Sequence, residues 1–183
     1  MYLIIFGPPG AGKGTQSVLI AQKLGIKHLS TGEILRQAVA EKTPLGLKAK
    51  EIMDAGDLVS DEIMIGIIQE AISAPDAKNG FILDGFPRTI KQAEELDKIM
   101  HLLGYGLPKV INIIVDDDEL IKRMLGRGRN DDTAEAIQNR LNVYKQQTAP
   151  VKEHYLKKSA VFDIIGKGSI QDINEQIIKI LQN

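Results

Sequence analysis

Residues 7–15 read Gly-Pro-Pro-Gly-Ala-Gly-Lys-Gly-Thr and follow the apolar run Tyr2-Leu3-Ile4-Ile5-Phe6 without a break. That order requires a buried strand, a glycine-rich turn at its carboxyl end, and a helix opening near Lys13. Such a turn aims several backbone N–H groups at one point, and the helix N-terminus adds its partial positive charge there. Lys13 can add a full charge. The guest that suits this arrangement is the phosphate chain of a nucleoside triphosphate. Gly7, Gly12 and Lys13 fit the phosphate-loop pattern G-x-x-x-x-G-K-[ST], with one departure: Gly14 follows the lysine and the hydroxyl comes one place later, at Thr15. A tight strand-to-helix link could use the same glycines for purely structural reasons. The position between a buried strand and an amphipathic helix favours phosphate.

The rest of the chain alternates in the same way. Phe81–Leu83, Val110–Val115 and Val161–Ile165 are short apolar runs suited to strands buried on both faces of a parallel sheet, and Lys27–Leu29 is a fifth, placed by its position after Gly25. Helical spacing separates them. Ile170, Ile173, Ile177 and Ile180/Leu181 form a stripe behind a Ser169 cap, Leu120, Met124 and Leu125 form another, and Leu141, Tyr144 and Thr148 a third. The expected fold is α/β, a doubly wound five-stranded parallel sheet with helices on both faces. From Thr31 to about Ala74 only helical patterns occur, too long for one crossover helix, so a small helical insert is expected between the second and third strands. Gly126–Asp132 is a short polar loop between two helices.

The 183 residues suit one domain, and an apolar fraction of 43% is enough for a core. A net charge of −1 offers no broad basic face to nucleic acid. No cysteine is present, which excludes disulfides, cysteine-ligated zinc and thiol catalysis and suits a reducing cytoplasm. No apolar stretch reaches membrane-spanning length and no cleavable leader is expected.

Lysine is spread through the chain at 17 positions, whereas the six arginines are concentrated: Arg123, Arg127, Arg129 and Arg140 fall within 18 residues, with Arg36 and Arg88 elsewhere. Arginine is favoured where a planar fork must hold phosphate bidentately. Arg123 and Arg127 are four apart, which puts them on one helix face pointing together at the 126–132 loop. Ion pairing with Asp116–Glu119 and Asp131/Asp132 is the bland alternative, and a clamp on phosphates in transit the functional one. Asp84 ends a parallel strand, where ligands of open α/β sheets bind, and can hold Mg²⁺ directly or through water. The alternative is that it caps the next helix. Asp116-Asp117-Asp118 reads as a solvated helix start, and His28, His101 and His154 as ordinary structural or surface residues. No general base stands out. A phosphate monoester acceptor needs none, since its second pKa is about 6 and it is already dianionic at neutral pH.

Taken together, these motifs resemble the nucleoside monophosphate kinases, and within them the short-lid adenylate kinases. The resemblance covers the chain from residue 1 to residue 183 and rests on Gly7–Gln16, Ser30-Thr31-Gly32, Leu35-Arg36, Gly56–Val59, Asp84–Arg88, Gln92, Gly126–Asp132, Arg140 and Thr148-Ala149-Pro150. It implies a single kinase domain with an acceptor-binding insert at residues 30–59 and a lid at 126–132. It implies that Gly10, Ala11, Gly12, Lys13, Gly14 and Thr15 cradle the ATP phosphates, with Arg127 beside them and Gly168 near the adenine. Thr31, the backbone of Asp57, Leu58 and Val59, Gly85 and Gln92 are then expected to hold AMP. Arg36 and Arg88 take its phosphate, Arg129 and Arg140 also bind AMP, and Arg123, Arg129 and Arg140 join Lys13 and Arg88 around the transferred group. The implied reaction is MgATP + AMP ⇌ 2 ADP, with Mg²⁺ near Asp84, no zinc, and a cytoplasmic monomer whose partners are ATP, AMP and ADP. Glu33 stands where the family usually has Asp. Thr31 and Gln92 follow the AMP pattern, whereas UMP/CMP kinases typically carry Ala at the first place. A nucleotide-binding switch lacking kinase activity is the rival from another class, against which the chain has no Asn-Lys-x-Asp motif.

Overall fold

The structure, a computed structural model, describes residues 1–129 and 131–182. The lid expectation at 126–132 therefore includes one residue, Asn130, outside the described residues. Five strands, β1 (Tyr2–Phe6), β2 (Lys27–Ser30), β3 (Phe81–Asp84), β4 (Lys109–Ile114) and β5 (Val161–Ile165), pair in parallel in the order β2-β3-β1-β4-β5. All five expected strands are present, with ends shifted by one residue at most.

Alternate side chains of each strand feed two cores. Ile4, Phe6, Leu83 and Val110 face one, with α4 (Asp61–Ser73), α5 (Ile90–Leu102) and α8 (Val151–Leu156) packed over them. Leu3, Ile5, Ile82, Ile111 and Ile164 face the other, covered by α1 (Lys13–Leu24), α6 (Asp117–Gly126), α7 (Ala134–Val143) and α9 (Ile170–Gln182). The period-2 split of an apolar strand explains why these runs show no polar alternation: both faces are buried. The winding reverses around β1, whose crossover leads to β2 on one side while the chain leaving β3 crosses to β4 on the other. Carboxyl ends at such a reversal open a crevice for ligands.

Between β2 and β3 the chain is helical: α2 (Thr31–Ala40), α3 (Pro44–Ala55) and α4. Side-chain caps fix the starts of α2 and α3. Ser30 Oγ accepts from the Glu33 N–H, and Thr43 Oγ1 accepts from the Gly46 N–H at 3.1 Å. Ser169 caps α9 as expected, accepting from the Asp172 N–H at 3.1 Å.

Three stripes need correction. Leu125 is exposed, whereas Leu120 and Met124 are buried. Ile170, at the mouth of the crevice, is also exposed while Ile173, Ile177 and Leu181 are buried. The Leu141-Tyr144-Thr148 stripe crosses from α7 into a π-helical turn, Tyr144–Thr148, so that Leu141 and Thr148 are buried and Tyr144 only half so.

Candidate active site

The loop after β1 is pressed into the sheet end. A Cβ on Gly7 would lie 2.7 Å from the Ile113 carbonyl oxygen and one on Gly10 2.9 Å from that of Leu120, and both glycines have positive φ (142° and 85°). Any side chain here would push the loop off β4 and α6. Helix α1 opens at Lys13 as expected, leaving the N–H groups of its first turn without intrahelical acceptors and directed into the crevice.

Lys13 Nζ donates to the carbonyls of Gly7 (2.8 Å) and Pro8 (3.0 Å), folding back over the loop. Burial pulls its ammonium down to about 8. Asp84 pulls it up, while Arg88, Arg127 and Arg129 add to the lowering. The cavity thus holds more positive charge than its carboxylates neutralise, the electrostatic condition of a site awaiting an anion.

Every residue singled out above for nucleotide or metal lines one cavity of about 800 Å³. Its wall includes Gly10–Thr15, Arg123 and Gly168, together with Thr31, Arg36, Asp57–Val59, Gly85 and Gln92, and with Asp84, Arg88, Arg127, Arg129 and Arg140. Asp84 is buried at the end of β3. It does not cap α5, because Thr89 does: its Oγ1 accepts from the Gln92 N–H at 3.1 Å. A Cβ on Gly14 would lie 3.4 Å from Asp84 Oδ2, so the carboxylate reaches the first turn of α1. Among the described residues no cluster of three or more His, Asp or Glu side chains could cage a metal. That donor set fits Mg²⁺, which keeps its waters and binds through one or two carboxylates together with substrate phosphates. His28, read from sequence as structural, sits beside this point, its Nε2 4.0 Å from Asp84 Oδ2.

Arg123, Arg127 and Arg140 make the ion pairs weighed for them in the sequence. Arg123 does not point with Arg127 at the 126–132 loop. Its Nε donates to Glu119 (2.7 Å) and its NH2 to the Gly166 carbonyl (3.0 Å), tying α6 to the end of β5. Arg127 donates twice to Asp132, at 2.5 and 2.7 Å. Arg140 holds both Asp131 (2.5 Å) and Asp132 (2.7 Å) and reaches the Met53 carbonyl on α3 (3.1 Å). Burial works to raise the Asp132 carboxyl, yet hydrogen bonding and charge from Arg127 and Arg140 outweigh it and the pKa is lowered. For Arg129, burial is the main lowering influence, with Arg127 and Arg36 adding to it. Arg88 donates from Nε to the Gly85 carbonyl at 2.7 Å; burial is the main lowering influence on its guanidinium, which Asp84 opposes. The Arg36 guanidinium lies over Gly32, where a Cβ would meet it at 3.1 Å.

Two polar side chains of the cavity wall are held by hydrogen bonds to their neighbours. Thr31 is buried, and its hydroxyl donates to the Gly85 carbonyl at 3.0 Å, leaving lone pairs for the cavity. Gln92 accepts from the Arg88 N–H through Oε1 (2.7 Å) and donates through Nε2 to Asp61 Oδ1 (2.8 Å). Asp61, at the start of α4, carried no signal in the sequence beyond an acid in a helix first turn. Asp132 was visible only as a possible ion-pair partner.

The pattern of the adenylate kinase family matches residues 5–160. The chain is 44% identical to an adenylate kinase of Nocardia farcinica over 181 residues, covering 99% of each. It is 49% identical to one of Leptospira biflexa over 181 residues, covering 97% of each. An adenylate kinase of Carboxydothermus hydrogenoformans is 46% identical over an alignment of 213 residues that covers both chains fully, and so is longer than this one. Agreement that runs from the phosphate loop to the final helix is more than a shared motif: this chain belongs to the adenylate kinase family, phosphotransferases acting on nucleotides.

Proposed function

We propose that the protein transfers the γ-phosphoryl group of MgATP reversibly to AMP, giving two ADP. The observation that carries this is one cavity lined together by the glycine-rich loop, by Thr31 and Gln92 held in hydrogen bonds to their neighbours, and by all six arginines. Gly10–Thr15 bind the ATP phosphates, with Arg127 beside them and Gly168 against the adenine. Thr31, Asp57–Val59, Gly85 and Gln92 receive the AMP base and ribose side. Arg36 and Arg88 hold its phosphate, and Arg123, Arg129 and Arg140 complete the clamp.

An oxygen of the AMP phosphate attacks the γ-phosphorus in line, and the bond from that phosphorus to the β-bridging oxygen breaks. The acceptor is already dianionic, so no base is required, and repulsion between two anions is the obstacle. Lys13 and the arginines offset it with fixed charge, in a site where Lys13 and Arg88 are desolvated by burial and such donors are worth more than in water. Asp84 would hold the Mg²⁺ that enters with ATP, whose chemistry is to neutralise the β- and γ-phosphate oxygens. Residues 30–59 act as the acceptor insert and 126–132 as a lid that closes to exclude competing water. The same reading describes a cytoplasmic monomer working on ATP, AMP and ADP without zinc, nucleic acid or membrane. The near-neutral charge and lack of cysteine support it.

The test is stoichiometric. With MgATP and AMP supplied in equal amounts, two ADP should form per ATP consumed, and MgADP alone should run the reaction backward. Hydrolysis of ATP with no loss of AMP would overturn the proposal.

A further inference from the structure

Gln92 presents an amide to the acceptor pocket, and an amide has two faces that differ by one rotation. In one orientation it offers N–H beside C=O; in the other the order is reversed. The bases that share a purine ring divide on the same point. The adenine edge carries an acceptor at N1 and a donor at N6. The hypoxanthine edge of IMP carries a donor at N1 and an acceptor at O6. Orientation of one amide can therefore decide between them, provided something prevents the amide from turning.

The structure supplies that restraint from two sides. Asp61 Oδ1 accepts from Gln92 Nε2 at 2.8 Å, and a carboxylate has no proton to give in return. The Arg88 backbone N–H donates to Gln92 Oε1 at 2.7 Å and cannot accept. Turning the amide would set two acceptors against each other at Asp61 and two donors against each other at Arg88. Gln92 is 1% exposed, so no water stands by to replace either bond. Asp61 is held in turn by the Thr89 hydroxyl, which donates to the same Oδ1 at 3.0 Å while accepting from the Gln92 N–H at 3.1 Å. The carboxylate, the hydroxyl and the amide form a closed set linking the start of α4 to the start of α5.

We propose that Asp61 is a positioning residue for acceptor specificity: by accepting from Gln92 Nε2 it fixes the amide with its remaining N–H and C=O arranged for adenine and against 6-oxopurines. This rests on the reading that Gln92 meets the acceptor base. Asp61 itself does not line the cavity. Each Gln92 group keeps one hydrogen-bonding place for the ligand, the second proton of Nε2 and the second lone pair of Oε1.

The experiment compares kcat/KM for AMP and IMP at saturating MgATP in the wild-type protein and in Asp61→Asn. Asparagine has the same shape but can donate as well as accept, so one of the two restraints is lifted. In the wild type AMP should be preferred by at least ~10²-fold, because the wrong edge leaves buried groups unpaired. In Asp61→Asn that preference should fall by at least ~10-fold, through a higher KM for AMP and a gain with IMP, with the KM for ATP unchanged. A loss of stability alone would lower both acceptors together and leave the ratio where it was, which overturns the proposal. Should Asp61→Asn not fold, Asp61→Ser, whose hydroxyl also donates and accepts, carries the same comparison. A wild-type protein that uses IMP within threefold of AMP overturns the proposal with no variant at all. Failure of the wild type to phosphorylate AMP is a different result, and overturns the underlying functional reading instead.

Discussion

Lys13 carries the most concentrated chemistry in the chain. Its ammonium is drawn from an ordinary value of 10.5 to about 8, chiefly by burial. For a cation lowered on folding, the folded state binds fewer protons than the unfolded one between those two values, so this group's contribution to stability rises as pH climbs from about 8 to 10.5. A phosphate beside it acts in the opposite sense and restores the charge. ATP binding above pH 8 should therefore take up a proton, and ATP affinity should weaken by up to about tenfold per unit as pH rises above that point. Calorimetric titrations at pH 7, 8.5 and 9.5 check this, with buffers of different ionisation heats reporting the proton. An affinity flat across that range would remove Lys13 from the phosphate site. At this scale the phosphate loop was fully legible, since glycine and lysine spacing are themselves the mechanism. Asp61 was not, because a carboxylate's partner across 31 residues depends on how α4 and α5 pack, which no local pattern encodes.

On the proposed reading, different elements hold the two substrates. Arg36 stands on α2, in the helical segment between β2 and β3, whereas the phosphate loop joins β1 to α1. Arg36→Ala should raise the KM for AMP by at least ~10-fold, the scale of one charge-assisted hydrogen bond, and leave that for ATP within twofold. Equal losses for both would contradict assignment of this segment to the acceptor. The strands were readable because both-sided burial leaves unbroken apolar runs such as Phe81–Leu83. The helix faces were readable only where they meet the sheet squarely. Ile173 and Ile177 do so and Leu125 does not. The change to π-helical winding at Tyr144 has no counterpart in the spacing of Leu141 and Thr148, since either winding brings both to the same side.

Across the whole molecule, α7 is linked to the end of α3 and the residues just after it. Arg140 on α7 reaches the Met53 carbonyl, and Asn139 donates to the Ala55 carbonyl (2.9 Å) and to Asp57 (2.8 Å). Asp132 meanwhile pairs with both Arg127 and Arg140. Filling both nucleotide sites should tighten the whole cavity rim. Under saturating MgADP, hydrogen exchange should slow in 31–59 and around 126–132 together, while the strands β1 and β4, already buried, change little. Protection confined to the phosphate loop would argue that the insert and the lid do not close.

The claim on which all of this depends is that one cavity joins MgATP to AMP. The most direct measurement is ADP formation from MgATP with AMP, CMP, UMP and GMP in parallel, with Lys13→Met beside the wild type. The account predicts strong activity with AMP alone and a loss of at least ~10² in turnover for the variant, the scale of losing one preorganised charge donor. Transfer to UMP or CMP at a rate comparable with AMP, or near-normal turnover without Lys13, would contradict it.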